Sequence, residues 1–203
     1  DEVYGPMIND RPHTEGEPHR PSNPYSASKV TQEAIAFSYW RSFGVPVIIT
    51  NTMNNFGERQ DSEKFIPMIM KKLLADETVT IHGSQQEIGS RYWLHARNHA
   101  DAILFCLKMI TPKMFPQYMD LERFNVVGDV RLNNLEIAQK VAGFMEMGLK
   151  YEFEDFHSTR PGHDPHYGLD GTKLKEAGWQ IPFKFEESLE KTVDWTMKSP
   201  EWL

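Results

Sequence analysis

The stretch PYSASKVTQEAIAFSYWRSFGVPVIIT, residues 24–50, decides the fold. Pro24 suits a helix entry, where its missing N–H leaves no bond unmade. Ala34, Ile35, Phe37, Tyr39 and Trp40 then supply apolar and aromatic positions, so a helix is expected over residues 25–43. Gly44 stops it. Val45-Pro46-Val47-Ile48-Ile49-Thr50 is a β-branched run of the kind found in buried parallel strands. A helix feeding such a strand is the unit of an α/β layered fold.

The same alternation continues outward. Residues 5–24 are rich in Pro, Gly, Asp, Glu and His and read as a loop. A polar loop is expected over 51–62, a helix over 63–75 and a strand over 79–82. Residues 91–94 read as extended and 100–110 as a mostly apolar helix. The stripe of Ile103, Leu104 and Leu107 in that helix is expected in the core, with Cys106 beside it. Strands follow at 124–127 and 151–153, with helices at 135–145, 173–177 and 185–198. No repeat, low-complexity tract or Gly/Ser-rich linker divides the chain, so residues 1–203 are expected to form one compact unit.

Composition narrows the function classes. With 203 residues, 39% of them hydrophobic and 12% aromatic, the chain can bury a core and is not of the disordered kind. A net charge of -7 offers no basic field for nucleic acid. The single cysteine, Cys106, excludes an intrachain disulfide framework and fits a reducing compartment. No apolar run reaches the length of a membrane span, and the acidic start is no signal peptide. A cytoplasmic protein with neither membrane nor nucleic-acid partner is expected. No G-x-G-x-x-G turn or G-x-x-x-x-G-K-[ST] loop is present to cradle phosphates.

Two motifs carry chemistry. Tyr25 and Lys29 lie four apart and share a helix face. A cation beside a phenol favours the phenolate, which can take a proton from a sugar hydroxyl while hydride leaves the same carbon. Seven tyrosines and thirteen lysines make about half of one such pair expected by chance, so context must carry it. That context is Pro24, the small residues between, and the strand that follows. Asp1 and Glu2 are the second motif. Beside a newly formed ketone, a carboxylate can remove the adjacent proton while a carboxyl donates to a departing hydroxyl. Two close carboxyls divide those roles because each pushes the other's titration away. On a strand they would face opposite ways, so both reach one site only if the strand ends there, as Gly5-Pro6 suggests. Otherwise the pair is a solvated acidic terminus.

Asp1-Glu2-Val3-Tyr4-Gly5, Tyr25-Ser26-Ala27-Ser28-Lys29 and Asn54-Asn55-Phe56-Gly57 resemble the extended short-chain dehydrogenase/reductase family, and within it the dTDP-glucose 4,6-dehydratases. Further matches run in order through Glu63-Lys64-Phe65-Ile66-Pro67, Arg91 with Trp93-Leu94, Phe124-Asn125-Val126, Arg160-Pro161-Gly162-His163-Asp164 and Gly178-Trp179. The resemblance implies the C-terminal part of a Rossmann-like doubly wound parallel sheet plus a small α/β substrate-binding region. Residues 1–60 would be the remaining catalytic part and 61–203 mainly the nucleotide-sugar-binding part, intertwined.

It also implies roles. Asp1 would be the general acid and Glu2 the general base. Tyr25 would take the C4 hydroxyl proton, and Lys29 would hold the nicotinamide ribose. Asn55 would lie by the cofactor, NAD, and Asn54 by the substrate. Lys64, Phe65, Arg91, Asn125, Arg160 and His163 would surround a nucleoside-diphosphate sugar. The helix over 25–43 would be the homodimer contact. No metal is implied, although His95 and His99 have helical i,i+4 spacing and His163-Asp164 lies near His166. The chain departs from the family where Glu58 stands for a usual proline, Tyr92 for an acidic residue, and Ala96-Arg97-Asn98 for a Val-acid-Asp run. The family's cofactor half, about 130 residues, would precede Asp1, so the chain alone is expected to be inactive. Alternatives are a 4-epimerase or decarboxylase of the same family, or a non-catalytic sugar-nucleotide-binding module.

Overall fold

The computed structural model describes residues 1–109, 121–155 and 166–203. Its first long helix, α1, spans Pro24–Phe43. Asn23 caps it through a box in which the Asn23 side chain accepts from the Ser26 N–H and the Ser26 hydroxyl accepts from the Asn23 N–H. Gly44 closes it in the left-handed region at φ 66, its N–H bonded to the Trp40 carbonyl at 3.0 Å. The strand expected from Val45 begins later, as β1 at Ile49–Thr52. Pro46 has no N–H to give a ladder, and pairing starts only where Ile49 meets Arg123.

Strand β1 runs parallel to β5, Arg123–Val126, with Asn51 opposite Asn125. The expected polar loop 51–62 is corrected: its residues Asn54–Phe56 form a strand, β2. Their polarity conceals a parallel pairing with β4, Ser90–His95, which sets Asn54 opposite Trp93 and Phe56 opposite His95. Strand β6, Val130–Asn133, pairs antiparallel on the other side of β4. A separate parallel pair joins β3, Val79–His82, to β7, Tyr151–Glu154.

Helices α2 (Phe65–Leu74), α4 (Asn134–Phe144) and α6 (Phe185–Met197) cover the second and third sheets. Ile66, Ile69, Met70 and Leu73 of α2 follow helical spacing and meet Ile137 and Val141 of α4 and Leu189 and Val193 of α6 in one core with Trp93. A second cluster joins Leu94, Ala102, Cys106, Phe124, Val126, Leu174 and Trp179 beneath α3 (Ala96–Met109) and α5 (Thr172–Glu176).

The reading of α3 is corrected by its packing. Ile103, Leu104 and Leu107 are exposed, and Ala102 and Cys106 face the core instead. Helix α1 likewise buries only Ser26 and Trp40, leaving Ile35, Phe37, Tyr39 and Phe43 exposed. No described helix is long and apolar enough to cross a membrane.

Candidate active site

Asp1 and Glu2 do not end a strand. Glu2–Tyr4 form a single 3-10 turn, and Gly5 leaves it at φ 78, a conformation glycine tolerates and other residues rarely adopt. A Cβ at Gly5 would stand 2.5 Å from the Arg20 carbonyl oxygen. Val3 and Tyr4 anchor the turn in a third cluster with Met53, Tyr167 and Leu169. Tyr4 lies between the rings of His13 and His19, each 5.6 Å away, and burial pushes its phenol well above the usual tyrosine range. The backbone nitrogen of Asp1 donates to the Thr52 carbonyl at 3.3 Å. One Asp1 carboxylate oxygen, Oδ2, is buried without a hydrogen-bond partner.

The Glu2 carboxylate accepts from Asn23 Nδ2 at 3.0 Å. The residue that caps α1 therefore also holds Glu2. On the first turns of that helix, Tyr25 is 60% exposed and Lys29 Nζ lies 5.5 Å from its ring centroid. Farther along, Glu33 accepts from Asn51 Nδ2 at 3.0 Å and forms ion pairs with Arg123 at 2.8 Å and His19 at 3.2 Å. Those contacts fix α1 to β1 and β5.

Asn55 sits on the other side of Thr52. Its Nδ2 reaches Thr52 Oγ1 at 3.4 Å and His99 Nδ1 at 3.3 Å. Burial pushes the His99 imidazole below its ordinary range. A neutral ring accepting at Nδ1 keeps its proton on Nε2. Yet His99 Nε2 and Asn55 Oδ1 are both buried with no partner among the described residues. Asp1, Thr52, Asn55 and His99 thus form one connected line that ends in a buried donor and two buried acceptors lacking partners. Such atoms are costly unless a ligand or water meets them.

Strand β4 carries the expected nucleotide side. Arg91 lies 5.6 Å from the Tyr167 ring, and two residues on, Trp93 stacks with Phe65 at 6.2 Å and 27°. Lys64 is exposed at the N-terminus of α2. Asn54 is half-buried in β2. Asn125 is fully buried, its Nδ2 donating to the His13 and Asp170 carbonyls at 2.9 and 3.2 Å, while its N–H goes to Glu15. It borders a cavity of about 600 Å³ with Tyr92, Gly128, Asp129, Lys175 and Gln180. Arg160 and His163 lie outside the described residues.

His95 and His99 are not a helical pair. His95 ends β4 and only His99 lies in α3. The His95 Nε2 is 3.2 Å from Glu58, and its Nδ1 accepts from the Arg97 N–H at 3.1 Å. Arg97 also ion-pairs with Glu58. Asn98 exchanges two hydrogen bonds with the Phe183 backbone, at 2.8 and 3.1 Å. Glu58, Arg97 and Asn98 thus have defined local roles. No group of three or more His, Cys, Asp or Glu side chains among the described residues could hold a metal. The sequence reading missed Asn23, Thr52 and the Asn55–His99 contact. Asn23, preceding Pro24, carried the one available signal, that of a helix cap.

The crystal structure of dTDP-glucose 4,6-dehydratase from Bacillus anthracis in complex with NAD has a TM-score of 0.82 at 30% identity, over 99% of this chain and 60% of that one. UDP-glucose 4-epimerase from Thermus thermophilus, also in complex with NAD, shares the fold at a TM-score of 0.82 and 23% identity, over 97% and 61%. The molecule is thus an α/β protein of the Rossmann-like dehydratase/epimerase type. In sequence, dTDP-glucose 4,6-dehydratase of Haemophilus influenzae is 36% identical over 207 residues, 96% of this chain and 58% of that one. Its counterpart in Xanthomonas campestris pv. campestris is 33% identical over 211 residues, 100% and 57%. The family model for GDP-mannose 4,6 dehydratase matches residues 1–192, and the chain belongs to that family. It spans less than two thirds of the length of each of these relatives.

Proposed function

We propose that this chain carries the acid/base and sugar-nucleotide-binding residues of an NAD-dependent 4,6-dehydratase acting on a nucleoside-diphosphate hexose. The observation that carries the reading is the hydrogen bond from Asn23 to Glu2, which joins the two-carboxylate turn to the helix bearing Tyr25 and Lys29. A 4-epimerase needs the Tyr-Lys pair but no such acid/base couple.

In this reading Tyr25, with Lys29 beside it, takes the C4 hydroxyl proton. Bound NAD would supply the hydride acceptor for C4 and the hydride donor for C6. The ketone at C4 acidifies the C5 proton, which Glu2 removes. Asp1 protonates the departing C6 hydroxyl, and its Oδ2 is buried without a hydrogen-bond partner among the described residues. Lys29 and Asn55 would hold the cofactor. The unpartnered Asn55 Oδ1 fits it, since NAD offers ribose hydroxyl and carboxamide donors. Lys64, Phe65, Arg91 and Asn125, with Arg160 and His163, would enclose the nucleoside diphosphate. Phe65 over Trp93 offers an aromatic surface to a base, and Arg91 a charge to phosphate.

The test is turnover by a polypeptide that joins this chain to a Gly-rich cofactor half, supplied with NAD and dTDP-glucose, GDP-mannose or UDP-glucose. Loss of one water to a 4-keto-6-deoxy sugar supports the reading, and a 4-epimer contradicts it. The chain by itself is expected to be inactive.

A further inference from the structure

Asn23 occupies a position that a generic helix cap does not explain. Serine, threonine and aspartate cap as well as asparagine, because all present an oxygen to the first-turn N–H groups. Here the Ser26 N–H, 2.9 Å from Asn23 Oδ1, fixes which end of the amide is oxygen. The other end, Nδ2, is thereby directed at Glu2 Oε2, 3.0 Å away. Asparagine caps the helix and donates to a carboxylate with one rigid planar group. Aspartate has the oxygen but no donor, and serine is too short to span both.

The surroundings make this link directional. Val3 and Tyr4 lock the turn that carries Glu2 into the core, and Asn23 is locked in turn by both arms of the capping box. Glu33, Asn51 and Arg123 pin α1 farther along. The Glu2 side chain is thus held between two fixed elements, with its second oxygen left for other work. A donor on one carboxylate oxygen orients the other oxygen.

We propose that Asn23 is a positioning residue for Glu2, aiming it as the base of the elimination step while fixing the helix that carries Tyr25 and Lys29. This rests on the dehydratase reading above. It separates two half-reactions by residue: C4 oxidation depends on Tyr25 and Lys29, whereas proton removal from C5 depends also on the Asn23–Glu2 bond.

The experiment uses the full-length holoenzyme with Asn23→Asp and Asn23→Ser, both of which keep a capping oxygen. Single-turnover kinetics read the two steps apart: reduced cofactor by its near-ultraviolet absorbance, and elimination by release of product. Expected for both variants is a C4 oxidation rate like the parent's, with elimination slowed about tenfold so that reduced cofactor accumulates, and for Asn23→Ser also a melting temperature like the parent's. KM is unchanged. Equal slowing of both steps overturns the positioning role and leaves the dehydratase reading intact. A parent enzyme that yields a 4-epimer, or no 4-keto-6-deoxy product, overturns both.

Discussion

The buried ring of His95 faces Glu58 at 3.2 Å, while its second nitrogen accepts the Arg97 N–H. The backbone donor fixes the tautomer, so His95 is neutral with its proton aimed at Glu58. Burial outweighs the attraction of that carboxylate and lowers the imidazole below its ordinary 6.5. His99 is lowered from the same value by burial alone.

Acid sensitivity follows from these two rings. Both are neutral in the fold and bind protons more readily when unfolded, so their contribution is complete above pH 6.5 and is lost as pH falls through their depressed folded values. Glu17, lowered from 4.5 chiefly by its hydrogen bond with His13, adds a second loss at lower pH. Urea unfolding across this range should show stability declining below about pH 6.5, less steeply in His95→Gln. A flat profile down to about pH 5 contradicts this.

Glu58 and Arg97 should not matter equally. Glu58→Pro, which installs the residue usual in the family, leaves the buried His95 Nε2–H without its acceptor and should cost about 1–3 kcal/mol. Arg97 is more than half exposed, so Arg97→Ala should cost less than about 1 kcal/mol. Urea midpoints rank the two, and the reverse order would show that the ion pair, not the histidine, is what Glu58 serves.

Glu33 is the charged joint between α1 and the parallel pair. Glu33→Ala leaves Arg123 and His19 without their carboxylate partner and should lower stability by about 3 kcal/mol. A loss below about 0.5 kcal/mol would place those charges in water rather than in a desolvated joint.

The exposed row on α1 has its own expected outcome. Ile35, Tyr39 and Phe43, four residues apart on α1, form an exposed apolar surface at the place where the family resemblance puts the dimer contact. Sedimentation of the full-length protein should give a dimer, and Ile35→Asp with Phe43→Asp should give a monomer. A parent that sediments as a monomer excludes the contact.

Much of this fold is legible in the sequence because its signals are local. Pro24 and Gly44 bound α1, and the alternating Val79-Thr80-Ile81-His82 marks β3. Strand β2 was not legible, because Asn54 and Asn55 become a strand only through the partner that β4 supplies 39 residues later, Asn54 opposite Trp93. Ile103, Leu104 and Leu107 misled because hydrophobicity shows that a face is apolar, not which neighbour covers it. In the site, the residue types were readable and their couplings were not. Asn23 announces a helix cap, but its bond to Glu2 crosses 21 residues of loop.

In the proposed reaction Asp1 and Glu2 eliminate water next to the carbon that Tyr25 and Lys29 help to oxidise. The most direct measurement is turnover of a C4-deuterated nucleoside-diphosphate hexose in ordinary water, and of the unlabelled sugar in heavy water, by the full-length protein with NAD. The expected result is a 4-keto-6-deoxy product that carries the C4 label at C6 and solvent hydrogen at C5. A 4-epimer that takes up no solvent hydrogen at C5 would contradict it.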